Sequence, residues 1–202
     1  NEELGYARHY TNTLFNIMRG GIFTNNYQID KNDFKLFIGQ INKKVGKQFK
    51  AEIEQLPEII NYKNLFEWIK RIGNSELERI CYEYLPLTFS RRHGDPSRPW
   101  NQFSIDIKNT DGTDKLNFQG NWRDIFQNWE ALSLSYPEYV EGMISKFLNA
   151  TTADGYNPYQ ITREGIDWES PEPNDPWAYI GYWGDHQIIY LQKFLELSNE
   201  FH

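Results

Sequence analysis

The feature that most constrains the fold is the recurrence of apolar residues at helical spacing, in short runs cut apart by strong stop signals. Residues 6–18 carry Tyr6, Tyr10, Leu14, Ile17 and Met18 on one face, and Gly20-Gly21 end the run. Asp30 reads as the N-cap of a helix near 31–45 that aligns Phe34, Phe37, Ile38 and Ile41. Further helices are predicted near 47–55, stopping before Pro57, and near 62–71, where Leu65, Phe66, Trp68 and Ile69 precede a closing Gly73. Ser75 with Glu78 three residues on has the pattern of a capping box and predicts a helix over 76–84. Helix returns at 121–134 and at 138–149, with Val140, Met143, Ile144, Phe147 and Leu148. A last helix over about 184–198 uses Ile188, Leu191, Phe194 and Leu195.

Two stretches lack this period. In 86–120, Pro86, Gly94, Pro96 and Pro99 make a stiff loop. Phe103-Ser-Ile-Asp-Ile and Lys115-Leu-Asn-Phe alternate around turn residues 109–113, a hairpin pattern. In 151–176, Tyr159–Thr162 and Ile166–Trp168 flank a turn at 163–165, and Asp175-Pro176 suits an N-cap followed by N1. The expected class is mainly α, about eight helices with one or two small β-hairpins in loops. We expect a single domain, divided into a helical part (1–85), a loop and hairpin (86–120) and a second helical part (121–202).

Composition removes several functions. Against 28 Asp+Glu there are only 21 Lys+Arg among 202 residues, a net charge of -7, so no basic stripe suits nucleic acid. No apolar run is long enough for a bilayer, and we expect a cytoplasmic protein. The single Cys81 sits among Ile80, Tyr82, Tyr84 and Leu85 and reads as a buried structural thiol. One Cys and four scattered His build no metal framework, and no cofactor is expected. Aromatic residues reach 16%, with 7 Trp, and five of those (122, 129, 168, 177, 183) lie late in the chain. Such rings fill helical cores, and they also stack on sugars. Composition alone does not choose between the two.

Polar and aromatic residues converge in three segments. The Pro-stiffened loop 90–101 holds Arg91, Arg92, His93, Asp95 and Trp100. Its Arg forks can fix hydroxyls, carboxylates or phosphates, or simply bond the loop to itself. In 120–130, Ile125, Phe126, Trp129 and Leu132 form an apolar stripe, and Arg123, Gln127 and Glu130 line another face beside Asp124. That face suits a polyol or is a solvated helix surface with Asp124 near the helix N-terminus. In 177–187, four aromatics including Trp183 surround Asp185-His186 at a helix start, where Asp185 binds ligand or caps the helix. Asp167 and Glu169, next to Trp168, are weaker candidates for a catalytic role.

The second and third segments resemble the cellobiose phosphorylase family, within the six-hairpin glycosidase-like superfamily. There, one barrel helix opens on aromatic-Arg-Asp-x-x-Gln-Asp, and a later one opens on Asp-Asp-His with a Trp nearby. Trp122-Arg123-Asp124-Ile-Phe-Gln127-Asn128 matches the first with Asn in the last place. Gly184-Asp185-His186 matches the second with Gly for one Asp. The resemblance spans about 118–198 and covers neither 1–117 nor the segment 90–101. It implies a portion of an (α/α)6 barrel acting on glycosidic bonds, with Trp122, Arg123, Asp124, Gln127, Trp183, Asp185 and His186 around a sugar. Arg91, Arg92, His93, Asp95 and Trp100 would form a neighbouring wall, an anion site if phosphate is a co-substrate. The family's general acid lies further on, in an Asp-Trp-Asn-Asp motif that this sequence lacks. Twelve barrel helices also need more residues than are present. The expectation is therefore a sugar-holding part of a larger carbohydrate-active protein. Its partners would be a carbohydrate, the rest of the parent chain or a second copy. A non-catalytic sugar-binding domain and a helical protein-interaction domain are the alternatives.

Overall fold

The computed structural model describes residues 2–18, 23, 25–88, 108–168, 174, 182–183 and 188–202. The described chain is mainly helical, with small antiparallel sheets of two and three strands. One local unit recurs three times: a short strand ends in Asp or Asn, and that residue caps the helix that follows. Strand β1 (Gln28–Asp30) pairs with β2 (Ile59–Asn61), Ile29 opposite Ile60. Asp30 then accepts from the Asp33 amide at 2.9 Å and opens α2 (Lys31–Ile41). Asn61 accepts from the Lys63 amide at 3.0 Å and opens α5 (Tyr62–Ile72). Strand β3 (Gln119–Asn121) ends on Asn121, whose side chain accepts from the Arg123 amide and opens α7 (Trp122–Ser133). An extended backbone and an Asx side chain together supply the cap geometry, so strand end and helix start are one feature.

The remaining helices are α1 (Glu2–Met18), α3 (Lys43–Gln48), α4 (Lys50–Glu54), α6 (Ser75–Tyr82), α8 (Val140–Ala150) and α9 (Ile188–Phe201), with a 3-10 turn at Pro137–Tyr139. Three expectations are corrected here. The helix expected over 31–45 is two helices, because Asn42 takes extended angles and caps α3 through the Lys44 and Val45 amides. A Cβ on Gly46 would sit 2.9 Å from the Gly39 Cα, so α3 turns back closely on α2. The cap of α6 is Asn74, which accepts from the Leu77 amide at 2.9 Å, and Ser75 is the first helical residue. Tyr6, Tyr10 and Leu14 of α1, expected to face inward, are 71%, 66% and 43% exposed. α1 rests on α7 with these residues directed outward.

The hairpin expected at 159–168 is present as β5 (Gln160–Thr162) and β6 (Ile166–Asp167). It is extended by β3, with Gly120 opposite Ile161. Strand β4 (Tyr156–Asn157) pairs with β7 (Tyr182–Trp183). Of the other expected hairpin, the described part holds one bridge, Lys108 to Asp114, closing the turn at 109–113. Lys115–Phe118 form no strand, and 103–107 lie outside the described residues, as does Asp175-Pro176.

One core joins these elements. Phe34 and Phe37 of α2, Leu65 and Ile69 of α5, Ile80 of α6, Phe126 and Trp129 of α7, Phe147 of α8 and Phe194 of α9 are all buried in it. Each such side chain contributes about 1.5–3 kcal/mol by leaving water. Helices α6 and α8 touch through their backbones, since a Cβ on Gly142 would lie 2.6 Å from the Tyr82 carbonyl oxygen. Cys81 is buried, and that burial pushes its thiol well above the ordinary range, which leaves it inert. Among the described residues no helix is long and apolar enough to cross a membrane.

Candidate functional site

The sequence motif on α7 lies where the β3–β5 ladder ends. The Trp122 amide donates to the Tyr159 carbonyl at 3.1 Å, so the three-stranded sheet fixes where the helix begins. Trp122 is wholly buried, its ring against Phe126 and Phe147 at centroid distances of 4.7 and 5.1 Å. It braces the helix start from inside and presents no face to solvent. Arg123 and Asp124 stand above it, partly exposed, with Nε and Oδ1 3.7 Å apart. Gln127 is exposed one turn on. Ile125, Phe126, Trp129 and Leu132 are buried, as the predicted apolar stripe requires, but Asn128, expected beside the polar face, is buried with them.

Helix α9 completes this face. Lys193 Nζ is 2.7 Å from Glu130, and the same amine lies 5.9 Å from the centre of the Tyr190 ring. The Tyr190 hydroxyl is pushed up, first by burial and then by Glu130, with Asp124 adding to it. The first described residue of α9 is Ile188, so Asp185 and His186 lie outside the described residues. So do Arg91, Arg92, His93, Asp95 and Trp100. Trp183 is described only as the β7 residue opposite Tyr156. Among the described residues no group of His, Cys, Asp and Glu is placed to hold a metal ion.

Sequence reasoning missed a second polar cleft of about 570 Å³, lined by Asp30, Asp33, Tyr84, Asp114, Lys115 and Arg163 among others. Its back is a charge cluster. The Arg163 guanidinium meets Asp33 at 2.5 Å and the Leu116 carbonyl at 3.4 Å. The Tyr84 hydroxyl donates to the same Asp33 oxygen at 2.6 Å. Phe37 and Tyr84 approach the guanidinium with ring centres 5.8 and 5.9 Å away. Burial, and then the Asp33 charge, hold the Tyr84 hydroxyl far above its ordinary range, so it stays protonated and donating. Behind this cluster lies a buried amine. Lys146 donates to the Arg163 carbonyl at 3.3 Å and stands 4.0 Å from Glu83, which also takes bonds from Arg79 and Asn149.

A third cleft, of about 490 Å³, is aromatic and was also missed. Tyr27, Tyr62, Phe66 and Tyr82 line it, with Glu67, Glu138, Glu141 and His202 among its polar residues. Its rings lie far apart in sequence, and helical periodicity assigns Tyr62 and Phe66 simply to the inner side of α5. No local signal could have found it.

Set beside known families, the first part of the chain is the informative one. Residues 23–86 match the family model of glycoside hydrolase family 149 insertion domain 1. No curated protein matches the chain. The matched segment is about a third of the sequence and runs from before β1 to just past α6. It supports a glycoside-hydrolase-related context. It also falls where the motif resemblance does not, since that begins near 118. The matched segment supplies Asp33 and Tyr84 of the polar cleft and four rings of the aromatic one.

Proposed function

We propose that this chain is a sugar-holding portion of a larger carbohydrate-active protein of the glycosidase or glycoside phosphorylase type. The family match of residues 23–86 carries the reading. The partly exposed Arg123–Asp124 pair at a rigid helix start supports it, because such a pair offers fixed donors and acceptors to vicinal hydroxyls. In this proposal Arg123, Asp124 and Gln127 hold the sugar and Trp122 braces them from beneath. Trp183, Asp185 and His186 complete the subsite within a portion of an (α/α)6 barrel. Arg91, Arg92, His93, Asp95 and Trp100 form the adjoining wall, which takes phosphate if the reaction is a phosphorolysis. The general acid comes from outside these residues. Inversion needs two carboxyl groups about 6.5–9.5 Å apart across the sugar, or one of them plus phosphate.

The test has two arms. Calorimetric titration with neutral gluco-oligosaccharides should give saturable heat. Arg123→Ala and Asp124→Asn should each weaken that binding about tenfold, the loss expected for one charged hydrogen bond. Assays for sugar release or for phosphorolysis with the isolated chain should stay at the blank. Turnover by this chain would overturn the missing-acid part, and absence of heat with every sugar would overturn the whole reading. One observation favours a protein-interaction role instead, the outward stripe Tyr6–Tyr10–Leu14 on α1. Elution as a larger species that Tyr6→Ser/Tyr10→Ser returns to a monomer would support that alternative.

A further inference from the structure

We infer that the aromatic cleft framed by α5, α6, Glu138 and the end of α9 is a second saccharide site, separate from the face of α7, and that it takes a neutral oligosaccharide. The inference rests on the glycoside-related reading above and adds a site to it.

The cleft is lined by an arc of rings. Tyr62 meets Phe66 at 4.7 Å, Phe66 meets Tyr82 at 4.7 Å, and Tyr62 also meets Tyr139 at 4.4 Å, all tilted by about 50°. Tyr27 lies nearly parallel to Tyr139 at 5.5 Å. Tyr62 and Tyr139 are buried and belong to the core, whereas Tyr27, Phe66 and Tyr82 keep part of their surface open to the cleft. Successive tilted rings of which Tyr27, Phe66 and Tyr82 keep part of their surface open suit a ligand that is itself a chain of rings. A pyranose has an apolar C–H face for stacking and a belt of hydroxyls at its edge.

The polar residues fit the belt. Asn61 and the carboxylates of Glu67, Glu138 and Glu141 accept hydroxyl protons, and Lys63 and Lys70 donate. Three carboxylates against two ammonium groups nearly balance, so the cleft has no strong pull on an anion and no deep well for a cation. Glu138 is held in place by the Tyr27 hydroxyl, and His202 is tied to the Pro137 carbonyl at 3.2 Å, so this edge is pre-organised. A volume of about 490 Å³ lies within the range of small-ligand clefts. Four of the rings, Tyr27, Tyr62, Phe66 and Tyr82, come from the segment that matches a glycoside hydrolase insertion domain. The segment with the family match thus builds most of this cleft, and Glu138, Glu141 and His202 complete it.

The experiment is calorimetric titration of the whole chain with β-1,3-, β-1,4- and α-1,4-linked gluco-oligosaccharides, with an apolar helical peptide as a control probe. Phe66→Ala and Tyr82→Ala, each checked by circular dichroism, should weaken binding of the preferred oligosaccharide at least about tenfold. Phe66→Tyr, which keeps the stacking face, should retain it. Glu141→Gln should weaken it less, and Arg123→Ala should leave this component unchanged. If Arg123→Ala abolishes all sugar binding while the Phe66 and Tyr82 variants bind normally, this inference falls and the α7 site stands. The reverse pattern removes the α7 site and keeps the aromatic one. Binding of the peptide but of no sugar overturns the inference, as does the absence of all binding. Should Phe66→Ala fail to fold, Tyr82→Ala and Glu141→Gln decide.

Discussion

Arg163 stands between two short strands, in the turn that the sequence predicts. Its side chain is only 8% exposed, however, and its ion-pair partner Asp33 is 130 residues away. A cation removed from water at such a site must be matched by its carboxylate and its hydrogen bonds, and deleting one member leaves the other uncompensated. Arg163→Ala is expected to lower stability by about 3 kcal/mol, and Tyr84→Phe, which removes one bond to the carboxylate, by about 1.5 kcal/mol. Urea unfolding followed by circular dichroism measures both. Losses within about 0.5 kcal/mol, the usual effect at a surface, would show that the cluster contributes nothing. The pairing was invisible in the sequence because no local pattern connects α2 with a turn so far along the chain. Trp122, by contrast, stands out in the sequence, and in the fold it is a core residue packed on Phe126 and Phe147.

At the scale of elements, the sequence predicted helix positions well and helix beginnings less well. Asp30 and Gly73 mark their helix ends as expected. Ser75 misled because Asn74 beside it is an equally good cap, and only backbone angles decide: Asn74 is extended and Ser75 helical. Asn74→Ala should therefore cost about 1 kcal/mol, and Ser75→Ala should stay within about 0.5 kcal/mol. Chemical denaturation of the two variants side by side distinguishes them, and the opposite ranking would restore the capping box. Gly142 carries no signal in a periodicity argument, yet it permits the contact of α8 with α6. Gly142→Ala must push those helices apart and should destabilise by about 1–3 kcal/mol, the cost of overpacking. An unchanged midpoint would mean that the two backbones separate freely. Strands β1, β2, β3, β4 and β7 escaped notice for a simpler reason, each being two or three residues long and too short to display alternation.

Across the whole molecule, the mainly helical class was legible from apolar spacing, and among the described residues Trp122, Trp129 and eleven Phe and Tyr rings are core, while Tyr6, Tyr10, Trp168 and Phe201 are exposed. Only the α7 half of the expected sugar site can be followed in the described residues; its other clefts arise from contacts between distant segments. The buried tyrosines have a further consequence for pH. Burial is the largest cause raising the hydroxyls of Tyr62, Tyr84 and Tyr139 in the fold. Above the ordinary tyrosine value, about 10, the unfolded chain releases protons that the folded chain keeps, so stability is present below that value and falls as pH rises past it. Thermal melts from pH 8 to 11 should show a falling midpoint beginning near 10, and a flat profile would contradict the burial of these rings. The segment 23–86 is fastened to the rest by Arg163 on Asp33, by Tyr27 on Glu138 and by Phe23 stacked on Tyr139 at 4.0 Å. Those ties cross the edge of the matched region. A chimera that exchanged it between related proteins would have to carry the turn at 163, the stretch 137–139 and the α8 residues Gly142, Lys146 and Asn149 with it, distant pieces of sequence inherited as one cassette.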